Sequence, residues 1–443
     1  MSKLNLLFLI IASLKAQVGH RTFTFNDPFR TGGFGSGGGP GRQIQTEVYY
    51  PSVGQGSNAP IASGVYPIVI VGHGFLMPWS AYQSLWEWLV PAGYIVALPR
   101  TEGGIPPSHQ DFALDFRVVA HRLISEGQMP SSPFYQRIRP RVAFIGHSMG
   151  GGCAILAAQG FDSVNCIVGL AAANTTPSAI SAAEGVSVPA LMLAGSGDSV
   201  TPPSQHQKPI YDALASSCKW YVSLIGGGHC FFADPNATCE FGEASAGSTV
   251  TLTRGEQQSL AYRLILPFLN AYLKDSCLGA FLDTVAALSG VLTQSVCSYE
   301  PLSVEGEITH PSFTAPNGGA ISLSVRGGTP PYQYAWSHGF TGSNPTGLSA
   351  GTYTVQVVDA AGCREEKTFV LTLVTGLITV ESGVIRLFEV PRSCRWQLFD
   401  LRGIQVGEGS ISLSESCIFL PPLPSGFYWL QLSEGRRWMI HLP

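Results

Sequence analysis

Ser148 lies in Gly146-His147-Ser148-Met149-Gly150, a G-x-S-x-G pentapeptide. A serine hydroxyl is a poor nucleophile near neutral pH and needs a general base, which in turn needs a carboxylate to orient it. Asp198 and His229 follow in the chain and give the order Ser, Asp, His. Together these residue types can carry acyl transfer through a covalent acyl-enzyme. Rival groups fit less well. Asp162 comes too soon after the serine, Asp212 falls inside a helical pattern, and Asp234 lies beyond His229. His109 and His121 precede the serine, and His206 reads as a surface helix residue. His147 flanks the nucleophile and is expected to pack beneath the turn.

These groups can meet only if the surrounding elements bring them together. Arg141-Val142-Ala143-Phe144-Ile145 reads as a strand entering the serine turn, and the small residues Gly151 to Ala158 read as a helix leaving it. Strand, sharp turn and helix are the context a nucleophilic serine needs, and the flanking glycines leave room for that turn. Asp198 follows the strand Ala190 to Leu193, and His229 follows the strand Trp220 to Leu224 through Gly226-Gly227-Gly228. All three groups therefore fall at the C-terminal ends of strands, on one edge of a sheet. A tetrahedral intermediate needs two N–H donors. The amide of Met149 is one, and the amide of Phe75, after the strand Ile68 to Val71, is the other. The Phe75 ring is expected to line the acyl pocket, and Trp79 and Gln83 either shape the cleft or pack.

Further strands are expected at Gln43 to Tyr50, Tyr94 to Leu98 and Cys166 to Leu170. Helices are expected from Ser80 with Gln83 in a capping box, from Ser108 with Asp111, and over Glu256 to Leu273. Alternating strands and helices predict a mostly parallel α/β sheet covered on both faces. Gly33-x-Gly35-x-x-Gly38 matches a dinucleotide fingerprint formally, but with no strand before it and no helix after it, it reads as a loop.

Of the 443 residues, 45% are hydrophobic and only 12% charged, with a formal net charge of −4. That composition supplies a core and excludes both a disordered chain and a basic nucleic-acid surface. Lys3, the apolar run Leu4 to Leu14 and Ala16 read as an export leader. In an exported chain, ten cysteines are expected to pair in part. The near-neighbour candidates are Cys230 with Cys239, Cys277 with Cys297 and Cys394 with Cys417, and spacing alone does not fix the pairing. No C-x-x-C spacing occurs, so no metal site is expected. Helical periodicity ends near Tyr299-Glu300-Pro301. Beyond it, short alternating strands predict an Ig-like sandwich, with strands at Ala320 to Val325, Tyr332 to Trp336, Gly351 to Val358 and Thr368 to Leu373. A second small all-β stretch follows from Leu377.

At this point a resemblance becomes specific. Gly72-His73-Gly74-Phe75, Thr101-Glu102-Gly103-Gly104, Gly146 to Gly152, Gly197-Asp198 and Gly228-His229-Cys230 resemble the α/β-hydrolase branch of cutinase-like polyesterases, PET hydrolases included. The same branch holds chlorophyllase-like and dienelactone-hydrolase-like esterases. The resemblance covers about residues 43 to 298. It implies Ser148, Asp198 and His229 as the catalytic triad, Phe75 and Met149 as oxyanion donors, and no cofactor. Polyesterases of this kind often carry a tryptophan after the strand that follows the serine helix. Here that stretch is Ala171-Ala172-Ala173-Asn174-Thr175-Thr176, which puts Asn174 beside the cleft and leans toward the chlorophyllase-like side. A disulfide at Cys230 holding the histidine loop is also implied.

Gly328 to Ser337, Leu348 to Val355 and Asp359 to Cys363 are similar to the Ig-like repeat of gliding-motility adhesins of the SprB type. Such repeats carry a second cysteine, and Pro311-Ser312-Phe313 stands in its place, which leaves Cys363 unpaired. Leu398 to Gly403 and Leu423 to Tyr428 are similar to the C-terminal sorting domain of type IX secretion.

The expectation is an α/β-hydrolase fold followed by two small all-β modules. Its parts are a leader at 1–16, a catalytic domain at 17–300, an Ig-like repeat at 301–375 and a sorting domain at 376–443. The expected protein is a secreted or cell-surface monomeric serine ester hydrolase, acting on polyesters or, alternatively, on small or lipid esters. A non-catalytic surface adhesin is the reading from another class. The expected partners are the ester or polyester substrate, with Phe75, Trp79 and Asn174 in contact, and the type IX secretion machinery. Attachment to a cell or polymer surface through the β modules is a further expectation. No nucleic acid and no metal are expected.

Overall fold

A computed structural model describes residues 17–312, 315–372 and, in the C-terminal stretch, 378–381, 384–387, 394–411, 417–420, 422–433 and 437–442. The expected leader and the Thr375-Gly376 junction lie outside the described residues, as do the side chains of Cys394 and Cys417.

The chain divides into two units. One comprises Met1–Glu300 with Ala361–Cys363, the other Pro301–Ala360 with Arg364–Pro443. The strands of the first unit are β1 (Gln17–Asp27), β2 (Gly33–Phe34), β3 (Arg42–Ser52), β4 (Gly56–Ser57), β5 (Tyr66–Gly72) and β6 (Ile95–Pro99). They continue with β7 (Ile138–His147), β8 (Cys166–Leu170), β9 (Ala190–Gly195), β10 (Cys218–Leu224) and β11 (Val291–Cys297). The helices are α1 (Gln83–Leu89), α2 (His109–Glu126), α3 (Met149–Ala158), α4 (Ala179–Ala183), α5 (Gln207–Ala213), α6 (Ala237–Ser245), α7 (Arg254–Leu273) and α8 (Gly279–Ala287).

All eleven strands form one sheet in the order β11-β10-β9-β8-β7-β5-β6-β3-β1-β4, with β2 beside β3. From β10 to β6 neighbouring strands run parallel, while β11, β3 and β1 add antiparallel flanks. Because side chains alternate along a strand, each parallel strand feeds two cores. Ile68, Ile70, Val142 and Phe144 pack with α2 and α3 on one face. Val69, Val71, Ala143 and Ile145 pack with α1 and α7 on the other.

The start of α2 follows its sequence signal, with the Ser108 side chain accepting from the Asp111 N–H at 3.1 Å. A capping box of Thr253 and Glu256 starts α7. The chain entering α1 departs from expectation. Trp79–Tyr82 forms a 3₁₀ turn, Ser80 caps nothing, and Asp234 accepts from Ser84 N at 2.9 Å and from Ser84 Oγ. A carboxylate 150 residues away thus supplies the missing cap. β1 and β11 were not foreseen. Because β1 exists, a strand does precede the Gly33-x-Gly35-x-x-Gly38 run, but the run itself holds the two-residue strand β2 and is followed by β3 rather than by a helix.

The disulfides correct the expected pairing. Cys230 joins Cys239, whereas Cys297 joins Cys218, opposite it across β10 and β11, and Cys277 joins Cys363. Spacing along the chain hides a partner that register brings alongside. Among the described residues of the second unit, the strands form small antiparallel sheets. Ser303–Thr309, Gly319–Arg326 and Thr346–Leu348 make one, and Gln333–Trp336, Gly351–Val358 and Arg364–Leu371 another. The C-terminal stretch adds sheets of three and four strands.

Candidate active site

β7 delivers the chain to Ser148, which takes φ 54° and ψ −119° at the N-terminus of α3. A positive φ at a non-glycine residue is strained and persists only where its surroundings enforce it. Here they do. A Cβ on Gly146 would stand 2.0 Å from the Gly150 carbonyl oxygen, and one on Gly150 would stand 2.3 Å from that of Gly72. Only glycine lets α3 pass this close to the ends of β5 and β7. Ser148 N–H donates to the Leu170 carbonyl, and the Ser148 carbonyl accepts from Ala173 N–H, both at 2.9 Å. Among the described residues, Ser148 Oγ has no hydrogen-bond partner.

His229 and Asp198 are both buried, and His229 Nδ1 lies 2.8 Å from Asp198 Oδ2. The other oxygen, Oδ1, accepts from the amides of Val200 and Thr201 at 2.8 Å each. Thr201 Oγ1 lies 2.8 Å from Asp198 Oδ2 and 3.0 Å from His229 Nδ1. Burial pushes the Asp198 carboxyl up, but hydrogen bonding and charge from His229, with the bonds from Thr201, hold it below the usual range. An ionised Asp198 accepts from Nδ1–H, which leaves His229 Nε2 as the basic nitrogen.

The loop that carries His229 is braced from three sides. Its N–H donates to Glu243, and Cys230 N–H reaches Glu243 Oε2 at 3.3 Å. Gln257 accepts from Gly228 N–H at 2.8 Å and donates to the Gly228 carbonyl at 2.9 Å. Arg254 Nη1 donates to the Cys230 carbonyl at 2.8 Å, and the Cys230–Cys239 disulfide closes the turn. The sequence reading missed Thr201, Glu243 and Gln257. Thr201, three residues after Asp198, has a local signal, an aspartate accepting from the amides that follow it. Glu243 and Gln257 reach the loop from separate helices and leave no such mark.

Phe75 and Met149 stand at the ends of β5 and β7, and among the described residues neither N–H has a protein acceptor. Phe75 is 47% exposed. Its loop is held by Gly74, whose N–H donates to Tyr82 Oη at 2.8 Å, and by His73, whose ring nitrogens lie 2.9 Å from the Gly74 and Thr101 carbonyls. Trp79 is half-buried, with its ring against Tyr49 and Trp86 and the Arg100 guanidinium 5.9 Å from its centroid. Asn174 is exposed, and its side-chain oxygen accepts from Ser178 Oγ at 3.0 Å and Ile180 N at 3.2 Å. Two of the rival histidines brace that same loop. His206 accepts from Asn174 N–H at 3.0 Å, and His109 lies 3.1 Å from Thr176 N. His147 is buried under the turn, and burial, aided by the nearby His229 charge, pushes its imidazole down to about 3. Among the described residues, no three His, Cys, Asp or Glu side chains converge as metal ligands.

A family model described as PETase, PET hydrolase-like, matches residues 10–245, more than half of the chain. The chain belongs to the PET hydrolase-like family. That match takes in Phe75, Trp79, Ser148, Met149, Asn174, Asp198 and His229, while Arg254 and Gln257, which brace the His229 loop, lie beyond it. A bis(hydroxyethyl) terephthalate hydrolase from Streptomyces coelicolor (strain ATCC BAA-471 / A3(2) / M145) is 29% identical over 192 residues. The aligned region is 41% of this chain and 54% of that relative, so the chain spans about half of that curated relative's length. In this member of the PET hydrolase-like family, strained serine, paired histidine and aspartate, and unpartnered amides all sit at the C-terminal edge of the parallel strands.

Proposed function

We propose that this protein is a secreted serine ester hydrolase that acts on polyesters, poly(ethylene terephthalate) among them. The observation that carries the reading is the buried Asp198–His229 hydrogen bond of 2.8 Å, on the same sheet edge as the strained Ser148. Ser148 Oγ attacks the ester carbonyl carbon while His229 Nε2 takes its proton. Asp198 holds the imidazole in the Nδ1–H tautomer and stabilises the imidazolium. The N–H groups of Phe75 and Met149 bind the oxyanion. Collapse breaks the bond to the alcohol, which leaves with the proton from His229. Water, deprotonated by the same histidine, then attacks the acyl-enzyme, releasing the acid and restoring Ser148. The exposed ring of Phe75 is the first substrate contact, with Trp79 and Asn174 at the margin of the cleft, and no step calls for a cofactor.

Membership of the PET hydrolase-like family and the terephthalate-ester hydrolase among its relatives support the polyester. One observation favours small or lipid esters, as in chlorophyllase-like enzymes. Residues 171–176 hold no tryptophan to stack on a polymer ring. The test compares soluble aromatic acids released from a polyester film with hydrolysis of short p-nitrophenyl esters, triacylglycerol and chlorophyll. Film hydrolysis supports the polyester, and activity confined to the other esters supports the second reading. Binding of cells or polysaccharide with no ester hydrolysis would favour the adhesin. Ser148→Ala should abolish hydrolysis while leaving the fold intact.

The leader-like N-terminus supports export, and the repeat-like and sorting-like sequences support an Ig-like adhesin module followed by a type IX secretion signal. In this proposal the β modules serve as spacer and export tag on a monomer, at the cell surface or released.

A further inference from the structure

A chain of hydrogen bonds beneath the elbow joins the two halves of the proposed machinery. Gly74 N–H donates to Tyr82 Oη at 2.8 Å. Tyr82 Oη lies 2.9 Å from His147 Nδ1, and His147 Nε2 lies 3.0 Å from the His229 carbonyl. All the side chains involved are buried. Carbonyl oxygens only accept, so His147 Nε2 carries the hydrogen. A neutral imidazole then has a bare Nδ1, to which the Tyr82 hydroxyl donates. The direction of every bond is thereby fixed. One end is the amide immediately before Phe75, and the other is the carbonyl of His229 itself.

We propose that Tyr82 and His147 are positioning residues, a strut that sets the spacing between the oxyanion loop and the general base. The inference rests on the assignment of Ser148, His229 and the Phe75 amide made above. Neither side chain acts on the substrate. The strut keeps the Phe75 N–H and His229 Nε2 in register across a gap that no covalent segment bridges directly. Misplacement of about 1 Å in such a constellation can cost on the order of 100-fold in rate. Met77 Sδ, 3.5 Å from Tyr82 Oη, is a poorer alternative acceptor for the hydroxyl hydrogen.

The test is a double-mutant cycle in the full chain with a soluble p-nitrophenyl ester. Tyr82→Phe removes the hydroxyl and keeps the ring, and His147→Gln keeps a donor for the His229 carbonyl but loses the imidazole. Each should lower kcat by about tenfold or more with KM nearly unchanged, because the loss falls on transition-state alignment. The double variant should be little worse than the worse single one, since either change breaks the same strut. Additive losses, or a kcat per folded enzyme that stays unchanged, would each overturn the proposal. Ser148→Ala is measured alongside. Activity retained there would refute the assignment of the nucleophile, whereas inactive Ser148→Ala with a fully active Tyr82→Phe would refute the strut alone. Should Tyr82→Phe fail to fold, His147→Gln with its KM and kcat measured separately decides the matter.

Discussion

The carboxylate of Glu243, on α6, accepts the main-chain N–H of His229, and its second oxygen takes that of Cys230. A buried acid thus fixes the backbone of the residue proposed as general base while staying clear of its ring. Glu243→Ala should destabilise the fold by roughly 1–3 kcal/mol, the usual cost of leaving buried amides without a charged acceptor. It should also lower kcat more than it raises KM. A thermal melt with steady-state kinetics checks both. An unchanged melting temperature would mean that the loop is held by Gln257, Arg254 and the disulfide alone.

Asp198 holds the tautomer of His229, and Thr201 holds Asp198. Asp198→Asn should cut kcat by about 10⁴-fold through the wrong tautomer. Thr201→Val removes one bond to the carboxylate while leaving the Asp198–His229 pair, so its loss should be far smaller, about tenfold, an amount corresponding to one modest hydrogen bond. Comparing the two on one soluble ester is the measurement. Equal losses would place Thr201 on a par with the carboxylate and reject the ranking.

Acid should destabilise the protein in a definite window. His147 ordinarily titrates near 6.5 and is pushed down to about 3 in the fold. Between those values the unfolded chain holds a proton that the native imidazole does not, so stability falls as pH falls, by up to ~1.4 kcal/mol per pH unit for this one group. Burial lowers His73 in the same direction. Asp198, also lowered, adds its loss only below the ordinary 3.8, as pH falls through its folded value. Urea midpoints measured from pH 7 down to 4 should decline, and the decline should be shallower in His147→Gln. An identical slope in that variant would show that His147 is not the group responsible.

The candidate site is far more legible in the sequence than the residues that support it. Gly146 and Gly150 are required by close contact between backbones, and that demand is visible as a spacing around Ser148. α2 and α7 announce themselves through Ser108 and Thr253, whose caps are local. α1 does not, because its cap is Asp234, distant in the chain. β11 is an edge strand with mostly exposed residues, so it lacks the apolar run that marked β5 or β9. Missing β11 also hid the partner of Cys297, since Cys218 faces it only once the two strands pair. Glu243 and Gln257 were illegible for a related reason, as each acts across a fold that must exist first.

The Cys230–Cys239 disulfide closes a short loop that carries Phe231, Phe232 and Asp234 and begins beside His229. Replacing both cysteines with serine should cost about 2–3 kcal/mol by loss of the loop constraint. Activity at room temperature should survive, because Glu243 and Gln257 still hold the backbone at Gly228 and His229. Inactivation at elevated temperature should become faster. Residual activity after timed heating of the two proteins tests this, and equal half-lives would remove the disulfide from the supports of the site.

Truncation after Glu300 should leave a competent hydrolase. The first unit ends at that residue, apart from Ala361–Cys363. All eleven strands of the large sheet and both layers of helices lie before it, including β11 and the Cys218–Cys297 disulfide. What the cut removes is the partner of Cys277, so the shortened chain should carry Cys277→Ser to prevent misplaced pairing. Hydrolysis of a soluble p-nitrophenyl ester should then stay within about twofold of the full chain, as expected when a unit with its own core is freed from a neighbour. If the β modules serve only as spacer and export tag, release of acids from a polyester film should be preserved equally well. A selective loss on the film, with the soluble ester unaffected, would instead give those modules a role in holding the enzyme at a polymer surface. Loss of both activities together with loss of folding would move the boundary of the catalytic unit beyond Glu300.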